Sequence, residues 1–172
     1  MRKRVVSVIG GHSCTDEVEQ IAKKLGRKLA KVAEILISGG LGGTMKAVCQ
    51  GFKEGGGITI GIIPSYDKND ANKFVDIVIP TGMGLARNVL VVKSTDIVVA
   101  LPGEAGTLSE VAYCLQFSIP VISLTPLEIP KRGTVTTKFL TGLNSWDIPG
   151  VIKVKTVEEA VLKVKKILGS VN

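Results

Sequence analysis

The stretch Leu101 to Glu110, LPGEAGTLSE, sets two carboxylates in and just past a glycine turn that ends an apolar run and opens a helical pattern. Glu110 lies four residues beyond Gly106, about one helical turn on, so its side chain reaches back over the turn. Glycine lets backbone come close to a ligand, and the free N–H groups and dipole of a helix start favour an anion. Two other stretches share this makeup: GGHS, Gly10 to Ser13, and SGGLGGT, Ser38 to Thr44. Each follows an apolar run and leads into a helical one. The candidate ligand-binding residues are therefore Gly10, Gly11, Ser13, Gly39, Gly40, Gly42, Thr44, Gly103, Glu104, Gly106 and Thr107. One such loop is a tight turn as readily as a site. Three on one sheet edge describe a phosphate or nucleotide cradle. A carboxylate near a helix N-terminus is also favourable on its own, so a functional Glu110 needs a cationic partner. Arg87, in GMGLARN, is the candidate, because its helix precedes the strand that delivers the loop.

Several chemistries lack their residues. There is no GxxxxGK[ST] or GxGxxG pattern for a kinase, ATPase or dinucleotide-dependent dehydrogenase, and no GxSxG elbow for a hydrolase triad. His12 stands without companion ligands and reads as a loop residue, so no metal site is expected. Cys14, Cys49 and Cys114 are odd in number and far apart, which suits reduced thiols better than a disulfide framework. The formal charge of +7 invites a nucleic-acid partner, but its lysines fall on polar faces of amphipathic helices. Aromatics are only 4% of residues, leaving no stacking platform for single strands. The excess charge still suits an anionic small ligand.

The elements that must position these loops follow from patterning. With 172 residues and 45% apolar content the chain reads as one globular domain, residues 1–172. VVSVI, after the basic tip, is too short an apolar run for a signal peptide, and no run reaches the roughly 18 residues of a membrane span. A cytoplasmic location without membrane contact is expected. Strands are expected at Arg4 to Ile9, Ile35 to Ser38, Ile58 to Ile63, Val75 to Ile79, Asp96 to Leu101 and Pro120 to Leu124. They are near-continuous Val/Ile/Leu runs, as in parallel sheets covered on both faces. Helices are expected at Asp16 to Ala33, Thr44 to Glu54, Leu85 to Ser94, Thr107 to Phe117 and Val157 to Leu168, the first with Ser13 and Asp16 as a capping box. The alternation implies a three-layer α/β/α sandwich with a mainly parallel sheet. Thr125 to Gly150 is read as a short helix or hairpin that Trp146 packs onto the core.

ARN and LPGEAGTLSE together resemble the paired signature of the LOG family, an arginine motif followed by PGGxGTxxE. The wider superfamily, SLOG, also holds DprA and molybdenum cofactor carrier proteins. VIGGHS, SGGLGGTMKAV and GGGITIGIIP are similar to its first three loop regions, so the resemblance covers roughly residues 4 to 125. It implies a Rossmann-like fold, a homodimer or higher homo-oligomer, and no required cofactor beyond a bound nucleotide or molybdenum cofactor. For LOG enzymes it implies hydrolysis of the N-glycosidic bond of a nucleoside 5′-monophosphate, with Arg87 and Glu110 as the catalytic pair. Such cleavage passes through an oxocarbenium-like state that a carboxylate stabilises. The alternative is a non-catalytic carrier of molybdenum cofactor or a related phosphorylated pterin. A lysine decarboxylase label borne by some relatives finds no pyridoxal-phosphate site here. Two positions depart from the LOG pattern: Glu104 replaces the second glycine of PGG, and Asn88 replaces the lysine after the arginine. Both changes lower the positive charge available to a phosphate.

Overall fold

A computed structural model describes residues 2–125 and 150–170. The elements run β1 (Val5–Ile9), α1 (Asp16–Leu29), β2 (Ile35–Ser38), α2 (Gly43–Glu54), β3 (Ile58–Ile63) and β4 (Ile77–Pro80). A 3-10 turn (Gly84–Arg87) then enters α3 (Asn88–Lys93), followed by β5 (Ile97–Ala100), α4 (Ala105–Gln116), β6 (Val121–Leu124), β7 (Val151–Val154) and α5 (Val157–Ser170). The seven strands form one sheet in the order β4-β3-β2-β1-β5-β6-β7, with every pairing parallel. The chain winds outward from β1 to β4, then crosses back to β5 and winds the other way. Right-handed crossovers therefore place α1 and α2 on one face and α3 and α4 on the other, and the last helix, α5, returns to the face of α1 and α2.

The two faces are legible in β5, where Ile97, Val99 and Leu101 join the core beneath α1, α2 and α5, while Val98 and Ala100 join the core beneath α3 and α4. At about 25 cal/mol per Å² of apolar area removed from water, this two-sided burial is the main stabilising term. The first core also depends on a close helix crossing. A Cβ on Gly51 would sit 1.9 Å from the carbonyl oxygen of Lys23, and one on Gly26 would sit 2.3 Å from that of Val48, so only glycine lets α1 and α2 approach this far.

All six expected strands are present, with ends shifted by at most two residues. β7 is a seventh, whose sequence VIKV carries Lys153 and gives no continuous apolar run. The expected capping box is corrected. Thr15, not Ser13, caps α1, its Oγ1 accepting from the Val18 N–H at 3.5 Å, because Asp16 is already the first helical residue. α1 also stops at Leu29 rather than Ala33: the N–H groups of Val32 and Ala33 both donate to the Leu29 carbonyl at 2.9 Å, turning the chain toward β2. The helix expected from Leu85 to Ser94 is a 3-10 turn joined to a short α-helix. The reading of Thr125 to Gly150, Trp146 included, lies outside the described residues except at its two ends. Among the described residues, no helix is long and apolar enough to cross a membrane.

Candidate functional site

The winding reverses between β1 and β5, and in open parallel sheets the crevice at such a switch point, beyond the carboxyl ends of the strands, is where ligands sit. The three glycine turns meet there. β1 and β5 continue their pairing past the sheet through the Leu101 N–H to the Ile9 carbonyl at 2.9 Å. The Gly11 N–H then donates to the Pro102 carbonyl at 3.1 Å, and the Thr44 N–H to the Gly11 carbonyl at 3.1 Å, so the loop after β1 is tied to those after β5 and β2. Above them lies a cavity of about 330 Å³, lined by Gly10, Gly11, His12, Gly39, Arg87, Asn88, Glu104, Ala105, Gly106, Thr107 and Glu110, with Ile9, Leu41, Met45, Pro64 and Leu85 as apolar wall. That volume is at the small end of ligand pockets, which run from roughly 300 to 1,000 Å³.

Of the residues singled out in the sequence, Gly10, Gly11, Gly39, Arg87, Glu104, Gly106, Thr107 and Glu110 line the cavity. Gly40, Gly42, Thr44, Gly103 and Ser13 do not. The first four lie among or beside the lining loops. Thr44 is fully buried and packs where a Cβ of Gly10 would fall, and Gly103 leaves room for the Thr107 hydroxyl, 2.1 Å from where its own Cβ would be. Gly40, at φ +71°, donates its N–H to Ser38 Oγ at 3.1 Å. Ser13 is exposed.

The helix starts differ in a way that matters for anions. α1 is capped by Thr15, and at the start of α5 Thr156 accepts from the Glu159 N–H at 3.1 Å. α2 and α4 have no side-chain cap, and the first residues of α4, Ala105, Gly106 and Thr107, line the cavity. Their leading N–H groups, which every helix leaves without an internal partner, are not covered by a side chain of their own cap residue.

Arg87 and Glu110 come together as their spacing suggests: Nη1 of Arg87 lies 3.8 Å from Oε1 of Glu110, and the side chains are 7% and 8% exposed. Arg87 fits only because residue 39 is glycine, since a Cβ there would fall 2.5 Å from Nη2. Asn88 fixes the guanidinium by accepting from Nη1, and it donates to Ser109 Oγ at 2.9 Å and to the Gly106 carbonyl at 3.3 Å. Ser109 in turn donates to the Gly106 carbonyl at 2.7 Å. The asparagine that removes a charge from the arginine motif thus joins that motif to the first turn of α4. Nε of Arg87 is buried without a hydrogen-bond partner among the described residues. Burial pushes the Glu110 carboxyl up to about 7, Arg87 opposing the shift only in part, and burial also lowers the Arg87 pKa.

His12, Asn88, Leu41, Met45, Pro64 and Leu85 line the cavity without having been selected as site residues from the sequence. His12 and Pro64 stand in loop motifs that the sequence does mark, GGHS and GIIP, and position in those motifs was the available signal. Leu41 and Met45 stand in SGGLGGTMKAV and Leu85 in GMGLARN, but an apolar side chain in a glycine-rich motif gives no sign of its own that it faces a ligand.

A doubly wound parallel sheet with its glycine loops at the switch point is a Rossmann-like α/β fold. Within that class the chain belongs to the SLOG cluster4 family, whose model matches residues 3–161. The molybdenum cofactor binding protein of Rippkaea orientalis superposes with a TM-score of 0.80 at 34% identity, over 98% of this chain and 99% of that one. The molybdenum cofactor carrier protein of Chlamydomonas reinhardtii does so at 0.79 and 31%, over 98% and 100%. A probable cytokinin riboside 5′-monophosphate phosphoribohydrolase of Oryza sativa, LOGL9, is 36% identical over 100 residues, 56% of this chain and 44% of that protein. DNA processing protein A of Helicobacter pylori shares the fold, with a TM-score of 0.68 at 21% identity over 95% and 81% of the chains.

Proposed function

We propose that this protein binds and carries a phosphorylated heterocycle of the molybdenum-cofactor type in the cavity above β1, β2 and β5. The observation that carries the reading is Arg87: among the described residues it is the only arginine or lysine in the lining, it is nine-tenths buried, and its Nε has no partner. A buried guanidinium with an unused N–H is costly unless an acceptor completes it, and a ligand oxyanion is such an acceptor. The uncapped start of α4 supplies further N–H donors for a phosphate. The apolar wall of Leu41, Met45, Pro64 and Leu85 suits a flat ring system. Likeness to a molybdenum cofactor binding protein and a molybdenum cofactor carrier protein, over nearly the full length of all three chains, supports carriage.

One observation favours a second reading. A carboxyl pushed up to about 7 beside an arginine is suited to proton transfer near neutral pH, as hydrolysis of a nucleoside 5′-monophosphate requires. In that reading Glu110 stabilises the oxocarbenium-like centre and Arg87 orients it. Incubation with AMP separates the two. The carrier reading expects no adenine above a buffer control and retention of added molybdenum cofactor on the protein. Adenine release that is lost in Glu110→Gln would establish the hydrolase instead.

A further inference from the structure

The cavity has an adverse charge balance for the ligand it is proposed to hold. Among the described residues its lining carries one guanidinium, Arg87, against two carboxyl groups, Glu104 and Glu110, with His12 the remaining titratable side chain. A phosphate monoester is itself a dianion above pH 7, its second pKa being about 6. Glu110 and the incoming oxyanion would share one buried cation, and like charges held close in a poorly solvated site favour protonation of the weaker acid. Of the two, Glu110 is the weaker acid, because burial raises its carboxyl.

We propose that filling this cavity with a phosphate monoester is coupled to uptake of one proton by Glu110, so that affinity is high near neutral pH and falls as pH rises. The inference rests on the reading of this cavity as the ligand site and adds a linkage to it. Glu110 on α4 faces Arg87 on the 3-10 turn at 3.8 Å and sits 6% exposed, with no hydrogen bond to share its charge among the contacts of the described residues. Asn88, the neighbouring polar group, is occupied by Nη1 of Arg87, Ser109 and the Gly106 carbonyl. The other groups near Glu110 do not substitute for it. Cys114, one turn along α4, is held as a thiol because burial pushes it up to about 12. Lys93, at the end of α3, lies over the Phe117 ring, 4.7 Å from its centroid. Burial supports the same conclusion, since it already favours the uncharged carboxyl in the empty cavity. An anion at Arg87 removes part of the one attraction that opposes this.

The test measures Kd at pH 7, 8 and 9 with two probes: formycin 5′-monophosphate, a fluorescent nucleotide whose C-glycosidic bond resists hydrolysis, and molybdenum cofactor freed from a molybdoenzyme. Calorimetry of the wild-type protein in buffers of different ionisation heat counts protons directly and needs no variant. The expected result is a Kd that rises toward tenfold per pH unit above 7, with close to one proton taken up per ligand at pH 8. Glu110→Gln binds with a Kd that is flat over the same range, and His12→Gln keeps the wild-type slope. A flat wild-type profile with no proton uptake overturns the coupling and leaves the ligand site standing, as does a slope that survives in Glu110→Gln. A slope that disappears in His12→Gln assigns the proton elsewhere and also overturns it. Binding of neither probe at any pH overturns the coupling together with the reading of the cavity.

Discussion

Replacing Glu110 by glutamine keeps the shape of the side chain and removes its titration, and the consequence for stability can be worked from its burial. The unfolded carboxyl titrates near 4.5 and the folded one at about 7, so the folded state binds the proton more tightly. A raised pKa contributes stability that is fully present below the unfolded value and is lost as pH rises through the folded one. At 1.36 kcal/mol per unit the full effect is about 3 kcal/mol, most of which falls between pH 5 and pH 8. Arg87 loses its partner in the variant, but a guanidinium stays charged over this range, so that penalty is an offset without pH dependence. Glu34, Glu54 and Glu158 are held at about 2 by hydrogen bonds from Arg4, Arg27 and Lys24 respectively. They act in the opposite sense at lower pH and cancel when variant and parent are compared. Urea unfolding of both proteins at pH 5 and pH 8 reads the effect. Glu110→Gln gains roughly 2–3 kcal/mol on the parent across this interval, equivalent to a relative Tm gain of roughly 5 to 10 °C at the size scaling for such chains. A difference that stays constant with pH, or one that moves the other way, would refute a buried, undercompensated Glu110.

Other substitutions probe the parts that hold the site. Gly51→Ala drives a methyl group into the Lys23 carbonyl and separates α1 from α2; a loss of about 1–3 kcal/mol in urea unfolding is expected, with a similar loss for Gly26→Ala. Asn88→Ala strips Arg87 Nη1 and the Gly106 carbonyl of a partner. It should cost about 1–3 kcal/mol and weaken ligand binding, and Asn88→Asp should retain the contact to Nη1 but weaken binding further by adding a negative charge beside the oxyanion.

The parts of the fold that the sequence made legible are those where one physical cause dominates. β1, β2, β3 and β5 sit inside the sheet, so both faces select apolar residues and runs such as Ile35 to Ser38 declare themselves. β7 is an edge strand paired only with β6, and that relaxed demand admits Lys153 and hides it. The carboxylate and arginine of the site were legible because each stands at a helix start beside a glycine turn. Asn88 was legible only as a lost charge. Its hydrogen bonds reach Gly106 and Ser109, eighteen and twenty-one residues away, and depend on how the 3-10 turn docks on α4. Ser13 shows the converse. Its place in a glycine loop suggests a ligand contact, but loop composition does not fix side-chain direction, and it faces solvent. Leu85 and Pro64 are apolar residues on separate loops, and only the folded sheet brings them to one wall.

The most direct measurement is the stoichiometry of molybdenum cofactor retained by the purified protein after gel filtration at pH 7, in the parent and in Arg87→Met. One cofactor per chain in the parent and little or none in the variant is the predicted result. No retention by the parent, or equal retention by Arg87→Met, would contradict a cavity built around that arginine.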